Sequence, residues 1–557
     1  MKLFQLHTIR VFSAVALFAT LSVTNVALAQ TQKIDDPLLK AMQAELDREK
    51  AQLLLPGMQK PYFIEYRLED ITNYEAVANY GALAREEQAH QRIVRVSVRI
   101  GDYASDSSGT RGDGAVQLAP EENDPLALRY ALWTATDDAY KSALRAYAAK
   151  QAALKQFQTP PNHDDFAKAA PTVHIDPLVS LDLDRKEWKR RIVEASGLYA
   201  SDPEVSANAA DVQYSSANVR ALAVNRYLVN TEGTVVRTGY TGYSATIGVG
   251  GQAPDGMNLG RDNGTTAVNA KDLEDWPAFR KRTIDDLKSF EALRNAPLVA
   301  ADDYHGPVLL SGDASADIFN ALFVPNVAAE QPEVGTSART RGAFTSSLHT
   351  QVFSDLLSAT DDPLMKTFND RPLLGSYAID DEGVPAQSVD LVIKGKLENF
   401  LIGRSPIKDF ATSNGHGRAP LAQAARSHSG VMVIKALEPL TEDGMNQRLL
   451  SLAKDQGRDV YAVETLGGPM EPRLLYRVHP DGTRQLVRGA AFDELDNRSL
   501  RSDILAAGGK PYVANNFGPI SQTTIAPSLI FGNIGIKRAT DEQQKLPYYP
   551  PPPSGGK

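Results

Sequence analysis

The chain has 557 residues, more than one hydrophobic core accommodates, so two or three domains are expected. Apolar content of 42% and charged content of 23% are those of ordinary globular protein, and 40 glycines with 33 prolines point to many turns and β structure rather than a helical bundle. A net charge of −9 leaves no electrostatic footprint for nucleic acid or an anionic membrane, and the absence of cysteine excludes disulfides and a lipidated thiol.

Residues 1–29 read as a secretory signal peptide. Lys2 and Arg10 give the charged start, Val11 to Val23 the apolar centre, and Ala27-Leu28-Ala29 a small-x-small cleavage site, with cleavage after Ala29. The apolar run is too short for a stable membrane span, and no later stretch is long enough. A periplasmic or secreted protein is expected.

Asp36-Pro37 starts a helix whose stripe is Leu39, Met42, Leu46 and Leu53, with Pro56-Gly57 as its stop. Tyr62 to Leu68, Tyr74 to Tyr80 and Ile93 to Ile100 alternate as strands, and Asp102 to Glu122 reads as a polar loop. A long helix follows Asp124-Pro125. Its aromatic stripe of Leu126, Tyr130, Trp133, Tyr140, Leu144 and Tyr147 is expected to pack into a core. These elements form an N-terminal α+β domain, 36–155.

Thr159 to Ala170 is a linker in which His163-Asp164-Asp165 reads as solvated rather than metal-binding. The basic helix from Asp184 to Ser196 reads as a solvated face. Val212 to Ile247 forms consecutive antiparallel strands around an Asn230-Thr231-Glu232-Gly233 turn. Gly248 to Ala253 fits the G-x-G-x-x-A spelling of a dinucleotide fingerprint, but Pro254-Asp255-Gly256 continues a loop where that motif needs a helix amino terminus. With a charged helix from Asp272 to Arg294 this gives a β-rich middle domain, 180–296.

The C-terminal domain, 303–540, opens with strand Pro307 to Leu310 and helix Ala314 to Phe323. Arg371 to Arg418 carries an acidic turn, Asp380-Asp381-Glu382-Gly383, then a hairpin of Ser388 to Ile393 and Leu397 to Ile402 turning at Lys394-Gly395-Lys396, then Asn414-Gly415-His416-Gly417-Arg418. Strands at Val431 to Ala436 and Val460 to Glu464, a helix capped by Thr441, a hairpin across His479 to Gly482 and a strand at Thr524 to Ile530 follow. The tail, 541–557, ends in a polyproline run from Pro550 to Pro553.

The motifs GSYAIDDEGVPAQ, IKGKLENFLIGR and SNGHGR together resemble the C-terminal domain of the TldD/PmbA family, whose members include zinc peptidases and metal-free partner subunits. The turn at Asn230 to Gly233 extends the resemblance to the middle domain. It implies an α+β, multidomain fold with mixed and antiparallel sheets and flanking helices. In the active branch, a His-Glu-x-x-x-His helix follows the strand that opens the last domain, and a cysteine completes the zinc site. Matched directly after Leu310, Ser311 and Ala316 replace the histidines and Gly312 the glutamate. No two of the nine histidines are three to five residues apart.

The resemblance therefore implies a metal-free subunit, with no cofactor in this chain and zinc in a TldD-like partner, acting on unfolded peptides. Asp380, Asp381, Glu382, His416 and Arg418 are the candidate substrate-binding residues, and the hairpin edge a place for β-augmentation. The alternatives are a stand-alone peptidase with an atypical site at Asp380, Asp381, Glu382, His416 and His428, or a non-enzymatic envelope scaffold that uses its polyproline tail.

Overall fold

The computed structural model describes residues 35–108, 114–156, 163–300, 302–331, 344, 346–467 and 470–539. The expected signal peptide and the proline-rich tail lie outside them. Residues 35 and 36 aside, these form one unit built on two large sheets, with two further sheets of two strands each.

Helix α1 (Pro37–Gln52) leads into β1 (Phe63–Asn79), which turns at Tyr80-Gly81 into β2 (Ala82–Arg99). The two strand candidates at Tyr62 and Tyr74 are thus one continuous strand. The loop after β2 contains a short strand, β3 (Ala115–Ala119), on the open edge of β2. Helix α2 (Pro125–Leu154) follows, with the Asp124 carboxylate accepting from the Ala127 amide at its cap. Then come β4 (Val173–Ile175), α3 (Arg185–Ser201), β5 (Tyr214–Asn230), β6 (Val235–Gln252), β7 (Asn258–Ala267) and α4 (Trp276–Asn295).

Seven strands make the first sheet, in the order β3-β2-β1-β5-β6-β4, with β7 also paired to β6. Strand β1 pairs antiparallel with β2 on one side and with β5 on the other over almost its whole length. The segments expected as an N-terminal and a middle domain therefore share one sheet. An isolated two-stranded hairpin is marginal in water, and β5 supplies the missing neighbour. Tyr74, Ala76, Val219, Tyr243 and Ile247 pack against Trp188, Ile192, Phe279 and Phe290 of α3 and α4. Gly248 to Gln252 complete β6, and β7 follows the turn, so no helix amino terminus faces that glycine run.

Helix α2 differs from its expected packing. Leu126, Tyr130 and Trp133 are 62, 62 and 48% exposed, and the buried face is Leu128, Leu132, Ala135, Thr136, Ala139, Tyr140, Ala143 and Ala146. Alanines along that face let the helix approach closely, and bulkier aromatics there would hold it off. Asp165 departs from the solvated reading too. It is buried, and its Oδ2 accepts from Lys150 Nζ at 2.6 Å and from the Asp106 amide at 2.8 Å.

The second sheet has eleven strands and is mixed. At its centre lie β8 (Tyr304–Leu310) and the late strand Gln522–Arg538, which also pairs with Val431–Ala436 and Ile504–Asn516. Helix α5 (Asp313–Leu322) lies beside this sheet over a core that includes Val308, Leu310, Phe319, Phe353, Leu397, Val463 and Leu529. The hairpin at Lys394-Gly395 is shorter than expected, because only Lys396–Leu397 pairs back before the chain leaves the ladder. Among the described residues, no helix is long and apolar enough to cross a membrane.

Candidate functional site

The acidic turn and the histidine loop come together, as their closeness in sequence suggested. Asp380 organises its own turn. Its Oδ1 accepts from the Glu382 and Val384 amides at 3.0 and 2.8 Å, and its Oδ2 reaches across to the Gly417 amide at 2.9 Å. Gly383 takes the left-handed conformation, φ +79°, that closes such a turn. The Glu382 carboxylate accepts from the Arg404 amide at 2.6 Å and sits where a side chain at Gly417 would be, since a Cβ there would lie 2.1 Å from Glu382 Oε2.

Asp381 links the two sheets. Its Oδ2 accepts from the Ala419 amide at 2.7 Å and from Arg418 Nε at 3.1 Å, while its Oδ1 pairs with Arg226 of β5. Arg226 also pairs with Glu69 of β1, and Glu69 with Arg67. The result is a buried alternating chain, Arg67–Glu69–Arg226–Asp381–Arg418. Beside it, the fully buried Arg404 donates to the Ala167 carbonyl and to Glu232 of the β5–β6 turn, with its guanidinium 4.0 Å from the centre of the Phe166 ring.

Burial raises the proton affinity of all three carboxylates of the turn, but their neighbours set them apart. For Asp381, Arg226, then Arg418 and the Ala419 amide outweigh burial and hold the carboxyl well below the usual range. For Asp380, burial and then the nearby Glu382 push it well above that range. Glu382 is raised by burial, against the opposing Arg404 amide and the Arg404 and Arg99 charges.

His416 is fully buried. Its Nε2 lies 3.3 Å from Asp361 Oδ1 and its Nδ1 2.9 Å from Asn414 Oδ1, so both ring nitrogens are occupied by the protein. Asp361 in turn accepts from Ser429 and from the Gly430 and Val431 amides. Of the candidate substrate-binding residues, Asp380, Asp381, Glu382 and His416 thus brace loops from inside. Arg418 and Asp381 also border a recess.

Sequence reading missed Asp361, Glu69, Arg226 and Arg404. Arg67 and Glu69 alternate with Tyr66 and Leu68, a pattern that signals a polar strand face, but nothing local signals that the face is covered.

The main cavity, about 790 Å³, lies between α5, the segment after it and the Asn516–Gln522 turn; Asn320, Pro325, Glu330, His428, Ile520 and Gln522 are in its wall. His428 Nδ1 donates to the Ser429 carbonyl at 2.8 Å, which fixes that nitrogen as the N–H. Burial, and secondarily Arg418, lower its proton affinity, so the ring is neutral at pH 7 with a lone pair on Nε2.

Ser311, Gly312 and Ala316, expected at the positions of the zinc motif, fall at a strand end, a helix cap and the core. Ser311 still pairs with the neighbouring strand, its amide donating to the Val463 carbonyl at 3.0 Å, and Gly312 caps α5 at φ +59°. Both lie before the helix and border a different cavity, with Glu442, Glu464 and Tyr512, while Ala316 is buried in the core. Asn320 lies in the last turn of α5 and Pro325 beyond that helix, and both border the main cavity. Among the described residues no group of three or more His, Cys, Asp or Glu could hold a metal ion. The residues present do not fit zinc.

Residues 303–536 match the family described as the PmbA/TldA metallopeptidase C-terminal domain. Solved structures share the fold across 89–90% of the chain. A candidate modulator of a DNA gyrase from Thermotoga maritima gives a TM-score of 0.60 at 14% identity, covering 99% of that chain. TldE from Thermococcus kodakarensis gives 0.58 at 13% identity, covering 100% of it. A candidate modulator of DNA gyrase from Bacteroides thetaiotaomicron gives 0.58 at 12%, covering 98%. No curated relative matches in sequence.

Proposed function

Since residues 303–536 form a TldD/PmbA-family domain, we propose that this protein is an exported, metal-free subunit of a heteromeric metallopeptidase that binds unfolded peptides. One observation carries the reading. The wall of the main cavity, built by Asn320 near the end of α5 and by Val324, Pro325 and Ala328 beyond it, brings together no group of three or more metal donors among the described residues. A cavity of about 790 Å³ without a metal-binding group among the described residues is suited to holding a substrate for a partner.

The cavity wall supports an extended peptide. Val324, Pro325, Pro519 and Ile520 offer apolar contact, and Gln423, Asn516 and Gln522 offer amide donors and acceptors. The Asn320 side-chain oxygen accepts from Thr524 at 2.6 Å, which leaves its amide N–H groups for a backbone carbonyl of the ligand. In this reading His428 accepts a peptide N–H on Nε2.

The test is metal analysis and peptidase assay of the mature chain, alone and with an exported homologue carrying His-Glu-x-x-x-His. The expected result is no stoichiometric zinc and no cleavage by the chain alone, with cleavage in the mixture. Stoichiometric zinc in the purified chain, lost in His428→Ala, would replace this reading with a stand-alone peptidase.

A further inference from the structure

Beside the main cavity lies a small enclosed recess of about 90 Å³, walled by Thr238 and Tyr240 of β6, by Ser376 and Tyr377, and by Arg418 and Ala419. Pro519 and Ile520 border both spaces, and Ala419 of the recess is followed by Pro420 of the cavity. At about 30 Å³ per water, the recess takes roughly three waters or one small polar group.

Arg418 is the group in the recess that asks for a ligand. Its Nε donates to Asp381, and the guanidinium lies over the Tyr377 ring with its carbon 4.0 Å from the ring centre. Its side chain is 12% exposed. Among the described residues, Nη1 and Nη2 meet no protein acceptor, so one edge of the fork is oriented, nearly dry and free.

Charge points the same way. The buried chain Arg67–Glu69–Arg226–Asp381–Arg418 begins and ends on a cation, and therefore carries one more positive than negative charge. Arg226, Asp381 and Asp176 also border the recess; the Asp381 carboxylate is held by both arginines and the Ala419 amide, and the Asp176 side chain is 40% exposed and engaged by His174 at 2.9 Å. A planar anion against Nη1 and Nη2 would complete the alternation, and the spacing of those two donors matches the two oxygens of a carboxylate.

We infer that Arg418 receives a carboxylate on its Nη1–Nη2 edge, namely the C-terminal carboxylate of a peptide lying in the main cavity. This rests on the peptide-binding reading above and narrows it to chain ends. Asp381 and Tyr377 are then positioning residues that fix the guanidinium, and the size of the recess limits how far the peptide extends past Arg418.

The test compares an amino-terminally labelled six-residue peptide of alanine, serine and valine as free acid and as carboxamide, by fluorescence anisotropy with the mature chain. The acid is expected to bind at least about tenfold more tightly than the amide, as a charge-assisted pair predicts, and Arg418→Gln to abolish the difference by weakening only the acid. Thermal denaturation of the unaltered protein is run in parallel with N-acetylalanine, N-acetylalaninamide and inorganic phosphate, so that the answer does not depend on the variant folding. N-acetylalanine alone is expected to raise Tm.

Equal binding of acid and amide would overturn the carboxylate site and leave peptide binding intact. A rise in Tm with N-acetylalanine, without binding of either peptide, would keep the carboxylate site and overturn the peptide reading and the chain-end assignment with it. Phosphate matching N-acetylalanine would overturn the choice of carboxylate in favour of a general anion site. No response to any of these ligands would overturn the inference outright.

Discussion

Asp286 shows how one side chain can work against the fold around it. It is buried on α4, its Oδ2 has no hydrogen-bond partner, and Arg261 is 3.8 Å away. Burial raises its carboxyl to about 6, against the opposing pull of Arg261 and Asn263. A raised carboxylate favours the protonated form in the folded state. Its favourable contribution is therefore complete below the unfolded value near 4, and is lost as pH rises through 6. Asp286→Asn should stabilise the protein by about 1–3 kcal/mol at pH 8 and give little gain at pH 4, as urea denaturation at the two pH values would show. The acidic turn teaches a related lesson about legibility. Its sequence gave away the tight turn at Asp380 and the convergence with Gly415 to Arg418. It concealed the arginines that meet Asp381, because Arg226 lies more than 150 residues away and a local pattern carries no record of what covers a strand face.

At the scale of the element, α2 is the most instructive departure. Periodicity identifies a helix and its start, and Asp124-Pro125 delivers both. Periodicity does not say which of two apolar stripes faces inward when one is aromatic and the other rich in alanine. Here close approach to the sheet decides for the smaller side chains. Leu132→Ala should cost about 2–4 kcal/mol, while Trp133→Ala should stay within about 0.5 kcal/mol. Equilibrium denaturation followed by circular dichroism measures both. The short hairpin at Lys394-Gly395 is a second case. Alternation from Leu397 to Ile402 suggested a long partner strand, but the chain turns away after Leu397, and Leu401 instead bridges to Ala328 next to the main cavity. A period of two shows which residues share a face and not which neighbour completes the ladder.

Across the whole molecule, the two sheets are joined by charge. Arg226, Asp381, Glu69 and Arg404 are buried where β1 and β5 meet the loops of the second sheet, and breaking a buried pair strands a charge. Arg226→Ala should cost about 3–5 kcal/mol and uncouple the two halves. The three tryptophans, Trp133, Trp188 and Trp276, all lie in or beside the first sheet. Tryptophan fluorescence therefore reports that half, and far-ultraviolet circular dichroism reports both. The unaltered protein should show coincident transitions, and Arg226→Ala should separate them. The sequence supported the α+β class and the family of the last domain. The division at residues 155–180 followed a change in composition, which a sheet assembled from both sides of it does not respect.

That shared sheet also governs how the chain matures. Strand β1, residues 63–79, gains β2 at once but waits for residues 214–230 before its other edge is covered. Throughout that interval of synthesis a nascent chain presents a long row of unsatisfied amides and carbonyls, the template on which aggregates grow. Release of a fragment ending before β5 should leave an insoluble product.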